Sequence, residues 1–327
     1  MHLIDMTTGK PAIAFTGEKP WHGLGTDMGA NKTLQDWREA AGLDWTAKES
    51  IVQYNAETKH ELLIPKAFVD RKVLYRSDTL SPLSVVGKDY RPVQPGQIIE
   101  FYDELCERYG YAMETMGSLK DGKTIWALAQ TGQGQLIGGV DLVKAYLLLY
   151  TSFDGSCATT GKFTDVRVVC NNTLSMAQGQ GGKAVTVRHN AMFDASKVKA
   201  ELGVGAVWED HKARLESLAQ AKVTPQQQVN FLLSVYHDMT AKSIDAESPK
   251  VAKTMERLAG ILANAPGSQM STTTNTLYGL LNAVTYDVDH SMRARSDDSR
   301  LSSAWMGTGD LLKTKALDTA TAMLETV

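Results

Sequence analysis

Residues 111–131 decide the predicted fold and have the sequence YAMETMGSLKDGKTIWALAQT. Two runs of strand length flank Asp121-Gly122, a dipeptide typical of tight hairpin turns because such turns need residues with positive φ. We therefore predict an antiparallel β-hairpin over this stretch. Further strand signals lie on both sides of it, at 49–54, 60–64, 72–76, 83–86, 144–151, 165–170 and 185–188.

Apolar residues at helical spacing occur between the predicted strands and then dominate the C-terminal part of the chain. A first long helix is predicted from Gly96, and beyond residue 195 helical periods dominate the chain. The sequence thus predicts an α+β fold, with a mixed, mainly antiparallel sheet in the N-terminal half and a helical C-terminal part. The predicted organisation is an N-terminal arm and short helix (1–45), an α+β sheet domain (46–194) and a helical region (195–327).

The composition is typical of a globular protein, with 327 residues, 43% hydrophobic and 22% charged. The formal net charge of -3 provides no global positive field, so any nucleic-acid contact must come from a local patch. The three cysteines lie far apart without a CxxC pair, which suits a reducing cytosol and indicates no structural zinc site. No apolar run approaches the roughly 20 residues of a membrane span. No secretory signal is evident. We expect a cytoplasmic protein with no membrane partner.

Residues 117–124, GSLKDGKT, fit the phosphate-binding P-loop pattern GxxxxGK[ST]. A P-loop must open a helix whose N-terminus faces the phosphates, but barely two helical turns remain before Gly132. The hairpin turn is therefore the favoured interpretation, and a P-loop-like nucleotide-binding enzyme is the alternative. The residues that would bind the nucleotide in that alternative are Gly117, Gly122, Lys123 and Thr124.

The usual constellations of catalytic and metal sites are not evident in the sequence. None of the seven histidines forms HxxxH or HExxH, and none lies at ligand spacing from a cysteine, so we predict no metal and no cofactor. Cys170 and His189 are a candidate nucleophile and base, but a buried free cysteine at the end of a strand is the simpler interpretation. We predict no catalytic residues and favour a protein that is not an enzyme.

The segment from Gly155 to Asn190 carries four cations and one acid, Asp165. Arg167 shares a strand face with Asn171, and arginine and asparagine on one face suit phosphate and base contacts. The predicted nucleic-acid-binding residues are Lys162, Arg167, Asn171, Asn172, Lys183, Arg188 and His189, and Tyr150, Phe153 and Phe163 are candidates for stacking on unpaired bases. In the alternative interpretation, Arg167 pairs with a carboxylate inside the sheet and the two asparagines form a turn.

Four motifs recur together in a known family. They are PWHGLG at 20–25, YRPVQP at 90–95, VRVVCNNTL at 166–174 and NAVTY at 282–286. On these residues the chain resembles the phage/plasmid-like protein family, which is domain-of-unknown-function family nine-three-two. The resemblance covers nearly the whole chain. It implies a phage, prophage or plasmid context, but it brings no catalytic residue and no established activity.

The cationic β segment and this context together predict a non-enzymatic nucleic-acid-binding protein of phage or plasmid origin. Single-strand DNA binding or annealing in recombination or replication is the expected role. We also expect a homo-oligomer, because a ring or filament concentrates modest basic patches. The alternatives are a protein-interaction module that antagonises host defence by binding a host protein, and the P-loop-like enzyme described above.

Overall fold

A computed structural model describes residues 4–17, 24–29, 32–170, 172–175, 184–203, 207–236 and 249–325. Its strands and helices confirm the predicted α+β fold, with the mixed, mainly antiparallel sheet in the N-terminal half and the helices C-terminal. The strands are β1 (Ile13–Phe15), β2 (Thr26–Asp27), β3 (Ala47–Glu57), β4 (Leu63–Arg76), β5 (Pro82–Gly87), β6 (Ala112–Leu119), β7 (Thr124–Ile137), β8 (Asp141–Ser152), β9 (Thr159–Arg167), β10 (Asn172–Ser175) and β11 (Val185–Val187).

Two helices lie among the strands and the others follow them. They are α1 (Leu34–Ala40), α2 (Pro95–Tyr109), α3 (Ala195–Leu202), α4 (Val207–Gln220), α5 (Pro225–Tyr236), α6 (Pro249–Asn264), α7 (Leu277–Tyr286), α8 (Asp297–Met306) and α9 (Thr308–Leu324), with a π-helical turn at Asp287–Ser291. The predicted first helix begins at Pro95, one residue before the expected Gly96. No helix in the described part of the chain is long and apolar enough to cross a membrane.

The larger sheet has the strand order β10-β9-β8-β7-β6-β1-β2, and β11 also pairs with β9. β1 runs parallel to β2, whereas β6 with β7 and β9 with β10 are antiparallel, so the sheet is mixed. The prediction of a strand over 165–170 was wrong at its end. β9 stops at Arg167 and Val168 begins a turn in which Val168 and Val169 are exposed.

The hairpin predicted around Asp121-Gly122 is formed by β6 and β7, with Leu119 opposite Thr124. Three successive turn residues have positive φ, and Gly122, at φ 90°, has the conformation that glycine adopts most easily. β7 continues well past the predicted end at residue 131. Its residues from Thr124 to Ala129 are buried without alternation, which is the pattern of a strand covered on both faces.

A second, three-stranded sheet has the order β3-β4-β5. Its long β3–β4 hairpin turns at 58–62 and is exposed over most of its length. We call residues 51–70 the β-arm. Its two strands lose register between Ile51 and Gln53, whose partners are Lys72 and Ala67, so residues 68–71 of β4 bulge. Hydrogen bonds between Ala47 and the Gln94 side chain, at 2.8 and 3.3 Å, fix the base of the hairpin.

Contacts group the chain into two compact units. The first contains residues 1–131, 147–162 and 184–202, and the second contains 132–146, 163–183 and 203–327. Strands β7, β8 and β9 therefore contribute residues to both units, which the predicted division at 194/195 did not anticipate. The predicted boundary lies where the spacing of apolar residues changes from that of strands to that of helices. This spacing indicates whether a segment is a helix or a strand, but not which other segments pack against it.

Each unit has its own buried core. In the first unit, α2 buries Tyr102, whose hydroxyl donates to the carbonyl oxygens of Ala127 at 2.8 Å and Leu147 at 3.0 Å. In the second unit, Thr276 is the N-cap of α7, and its hydroxyl accepts from the Gly279 N–H at 2.9 Å. Most of this helix is buried. The helical periods that the sequence shows beyond residue 195 do not indicate how completely this helix is buried.

Candidate nucleic-acid interface

Arg167, the central residue of the predicted phosphate-binding face, lies in the core of the second unit and is only 3% exposed. Its Nε donates to Asp141 Oδ2 at 2.6 Å, and its Nη2 donates to the Gly267 carbonyl at 2.9 Å. Burial lowers the pKa of Arg167, but the neighbouring Cys170, Tyr278 and Asp141 raise this pKa by more, so the guanidinium stays charged. Arg167 thus pairs with a carboxylate inside the protein, as in the alternative interpretation, and its assignment to a phosphate-binding surface is corrected.

Lys162 and the three candidate stacking residues are also buried. The Lys162 ammonium lies 5.9 Å from the ring centroid of Tyr150. Phe153 is fully buried, with its ring centroid 5.2 Å from that of Trp45. Tyr150 and Phe163 are 7% and 6% exposed, so no ring of the three presents a face on which an unpaired base could stack. These residues lie in the core, so the assignment of Lys162 to nucleic-acid contacts and of the three rings to base stacking is corrected.

Three further predicted residues lie at or beyond the edge of what the structure describes. Asn171 and Lys183 lie outside the described residues. The backbone of Asn172 pairs with Arg167 as the first residue of β10. The predicted contacts of these three side chains with nucleic acid therefore stay predictions.

The alternative nucleotide site at Gly117–Thr124 lies in the β6–β7 hairpin. Gly117 is inside β6 opposite Trp126, and Thr124 is the first residue of β7 and is buried. The chain after Lys123 continues as a strand to Ile137, so the helix N-terminus that a P-loop uses to bind phosphate is not formed here. The structure agrees with the hairpin interpretation.

His189 holds two loops of the first unit together. Its ring stacks on Tyr90, with the ring centroids 4.4 Å apart. Its Nε2 lies 3.0 Å from the Cys157 carbonyl oxygen, and its Nδ1 lies 3.3 Å from the Arg91 carbonyl oxygen. The Arg91 N–H donates in turn to the His189 carbonyl at 2.5 Å. His189 is therefore a positioning residue, and the neighbouring Arg188 is exposed.

Further hydrogen bonds attach the hairpin turn to the same place. The Phe153 N–H donates to the Lys123 carbonyl at 2.8 Å, and the Tyr90 hydroxyl donates to the Ser152 carbonyl at 2.8 Å. The segments 88–92, 120–123, 152–157 and 188–191 are thus neighbours in the first unit. They carry four cationic side chains that we call the basic rim, namely Arg91, Lys120, Lys123 and Arg188.

The basic rim is a modest electropositive surface. Arg91 and Arg188 are exposed, Lys120 and Lys123 are half-buried, and none has an ion-pair partner among the described residues. The same segments carry three acids, Asp89, Asp121 and Asp154, and a fifth cation, Lys88, whose ammonium lies 3.7 Å from Asp70. With five cations against three acids on these segments, the site attracts anions only at short range.

The Cys157 thiol and the Tyr90 phenol at this site are not activated. Burial raises the pKa of the Cys157 thiol, although the Ser152 hydroxyl opposes that rise. Burial likewise raises the pKa of the Tyr90 phenol to about 12. Both groups therefore stay protonated near neutral pH and are poor nucleophiles. Cys170 belongs to the second unit and His189 to the first.

The second unit holds its ionisable groups in buried pairs. His211 Nε2 lies 2.6 Å from Asp165 Oδ2, and Lys313 Nζ lies 2.9 Å from Asp289 Oδ1. Arg167 and Asp165 border a cavity of about 10 Å³, room for about one water molecule. Among the residues that the structure describes, no group of histidine, cysteine and acidic side chains is arranged to hold a metal ion. These pairs organise the core.

The basic segment at 155–190 identifies Arg188, but no sequence pattern groups Arg91 or Lys120 with it. Arg91 lies in the YRPVQP motif and Lys120 lies inside the GSLKDGKT stretch, so both cations belong to motifs that the sequence already singles out. Their proximity depends on hydrogen bonds between segments about 30 to 100 residues apart, and spacing in the sequence does not reveal such contacts.

Comparison with protein families found a match. A family model described as domain of unknown function DUF932 matches residues 82–305, which include most of the larger sheet, helices α2 to α7 and nearly all of α8. The comparison with curated proteins found no match, and the comparison with solved structures found none either.

Proposed function

Because this chain belongs to the DUF932 family, whose description names no activity, we propose its function from the geometry of the basic rim. The protein binds single-stranded nucleic acid, DNA in the first instance, through Arg91, Lys120, Lys123 and Arg188. It acts without catalysis, as a binding or annealing factor in recombination or replication of a phage or plasmid in the cytoplasm.

The observation that carries this proposal is the convergence of cationic side chains on a rigid frame. The stacked Tyr90 and His189 rings and the hydrogen bonds from Phe153 to Lys123 and from Arg91 to His189 fix the backbone beneath the rim. A fixed frame reduces the entropy lost when phosphates bind, since less of the protein must be ordered at that moment.

The rim favours contacts with phosphates over contacts with bases. The aromatic rings near it are packed in the core or against each other, so stacking on bases contributes little. Binding is then largely independent of sequence, because phosphates carry no sequence information. A single strand suits this surface because it bends easily to follow loops and has a lower charge density than a duplex, while the chain's net charge of -3 opposes a long rigid polyanion.

The test is fluorescence anisotropy with a labelled 30-nucleotide strand of mixed sequence, a length on the order of a few binding sites, at several salt concentrations. Four phosphate contacts predict a slope of log K against log salt of roughly -3, and Arg91→Ala or Arg188→Ala should each reduce its magnitude by about 0.7. Arg108→Ala is the matched control, because Arg108 is an exposed cation on α2 that pairs with Glu104 at 2.9 Å.

Two results would overturn the proposal. One is the absence of binding at low salt. The other is a slope that Arg188→Ala and Arg108→Ala change equally, since the rim would then contribute nothing specific. Arg167→Ala provides a further check, because we expect it to destabilise the fold and to leave the slope of the remaining folded protein unchanged.

A further inference from the structure

The β-arm carries exposed aromatic side chains. Tyr54 on β3 is 53% exposed and Phe68 on β4 is 48% exposed, although both residues lie in strands. Exposed apolar side chains continue toward the tip of the arm at Leu62, Leu63 and Ile64. One exposed apolar residue is common on a protein surface, but several of them together indicate a binding surface.

The register of the hairpin places both rings on one face. Tyr54 pairs with Lys66, Ala56 pairs with Ile64, and residues directly opposite each other in an antiparallel ladder project to the same side. Phe68 lies two positions along β4 from Lys66 and therefore shares its face. We call these five residues the aromatic face of the β-arm.

The two faces of the hairpin differ in charge. The aromatic face carries one cation, Lys66, and no acid. Lys66 is exposed, and no ion pair among the described residues includes it. The opposite face carries one acid and no aromatic ring, and its residues are Gln53, Asn55, Glu57, Leu63, Pro65 and Ala67. The aromatic face therefore suits a ligand that combines flat apolar groups with negative charge, as a single-stranded nucleic acid does.

The spacing of the two rings suits neighbouring nucleotides of a single strand. Phe68 is a diagonal neighbour of Tyr54 across the hairpin, and such neighbours lie about 7–8 Å apart. Sheets that recognise single-stranded RNA stack two or three bases on aromatic side chains of adjacent strands. Tyr54 and Phe68 can therefore each stack one unpaired base, while Lys66 beside them contacts a phosphate.

The basic rim lies at the base of the β-arm, in the same unit. The Lys88 N–H, in the rim segment 88–92, donates to the carbonyl oxygen of Asp70 at the end of the arm, at 3.1 Å. Tyr54 lies three residues beyond Ile51, the last residue of β3 that is paired at the base, which is about 10 Å along the strand. A single strand bound at the rim therefore reaches the aromatic face within a few nucleotides.

We propose that the aromatic face of the β-arm stacks unpaired bases of the same single strand whose phosphates bind the basic rim. This inference rests on the proposed function and deepens it, because it adds base contacts that the rim itself does not make. Stacking tolerates every base, so binding stays largely independent of sequence. A second copy of the chain fits this face less well, because two aromatic faces packed together would bring two Lys66 side chains into one interface with no acid on either face.

The first experiment removes the rings and measures binding of the same labelled strand at several salt concentrations. Tyr54→Ala and Phe68→Ala should each bind about tenfold more weakly, the loss typical of one stacked base. Because neither ring is charged, the slope of log K against log salt should not change, whereas Arg91→Ala and Arg188→Ala reduce it. Tyr109→Ala is the matched control, because Tyr109 at the end of α2 is 55% exposed, and it should leave the affinity unchanged.

The second experiment removes the bases and keeps the rings. A strand of the same length and charge that lacks its bases should bind the original protein roughly a hundredfold more weakly than the intact strand, because both stacking contacts are lost. The double variant Tyr54→Ala/Phe68→Ala should bind the two strands equally, since its stacking partners are already gone. Tyr54→Phe keeps a ring and should bind the intact strand as the original protein does.

The inference is wrong if Tyr54→Ala and Phe68→Ala both bind as tightly as the original protein, and the proposed function then depends on the rim alone. It is also wrong if the original protein binds both strands equally, or if sedimentation velocity without nucleic acid shows an oligomer that Phe68→Ala dissociates. Ring variants that weaken binding while Arg188→Ala leaves the salt slope unchanged contradict the rim and support the arm. Absence of binding at low salt contradicts both.

Discussion

The two long hairpins both carry large apolar residues but have opposite surroundings. β7 of the β6–β7 hairpin buries Ile125 and Trp126 almost completely, while β3 of the β3–β4 hairpin exposes Ile51 and Tyr54. The difference is that β7 has neighbouring strands on both edges and α2 packs nearby, whereas β3 pairs only with β4 among the described strands. The comparison shows that apolar content predicts a strand but not whether the same chain covers it.

The largest expected difference between the two hairpins is in the free energy of unfolding that is lost when an aromatic side chain is removed. Trp126→Ala should lower the free energy of unfolding by about 3–5 kcal/mol, because Trp126 is 1% exposed and its removal leaves a cavity. Phe68→Ala, at 48% exposure, should cost less than about 1 kcal/mol in the monomer. Urea unfolding of both variants at low concentration measures the contrast, and equal costs would show that the arm is packed in solution.

A smaller difference is expected between the two turns. Gly122 has φ 90°, and a Cβ there would lie 3.0 Å from Arg76 Nη1, so Gly122→Ala should destabilise the protein by about 1–3 kcal/mol. Glu61, at the tip of the arm, already has φ 59° with a side chain. Glu61→Gly should therefore change stability by less than about 1 kcal/mol, in the stabilising direction. Thermal unfolding of both variants measures the two changes in stability. A Gly122→Ala variant as stable as the original protein would show that this turn does not require glycine.

The smallest effect concerns the buried contact that joins the two hairpins. Asp5 pairs with Arg76 of β4 and accepts a hydrogen bond from Ser118 of β6 at 2.9 Å. Burial raises the pKa of Asp5, but hydrogen bonds from Thr7 and the Arg76 charge outweigh burial, so the pKa lies below its usual value. The stability that ionised Asp5 contributes to the fold is therefore present above the unfolded pKa of about 4. It is lost as the pH falls through the lower pKa of the folded state.

Unfolding measured at pH 6 and pH 3 checks this prediction. The original protein should lose on the order of 1 kcal/mol more than Asp5→Asn over that interval, because the variant has no carboxyl to protonate at this position. The exposed Lys72–Glu49 pair of the β3–β4 hairpin is the comparison, and Glu49→Gln should change the pH dependence by much less. Equal pH dependence of Asp5→Asn and the original protein would show that Asp5 is not stabilised as a carboxylate.

The candidate site was only partly accessible to prediction. Strand alternation correctly puts Arg167 on one face of β9, but alternation does not say whether that face meets water or the core, and Asp141 and Gly267 cover it. Arg188 was identified because it follows a strand and sits in a basic segment, and it is exposed. Its neighbour Arg91 was not grouped with it, since the two are nearly 100 residues apart.

The sequence by itself determined the elements whose causes are local. Asp121-Gly122 specifies the hairpin through its backbone conformation, and the spacing of apolar residues specifies the helices beyond residue 195. Tertiary structure alone decided which cations remain in water and which hairpin is left uncovered. Burial of Arg167 and exposure of the β-arm depend on groups far away in the chain, and the free energy of such contacts is a property of the packed whole rather than of any short segment.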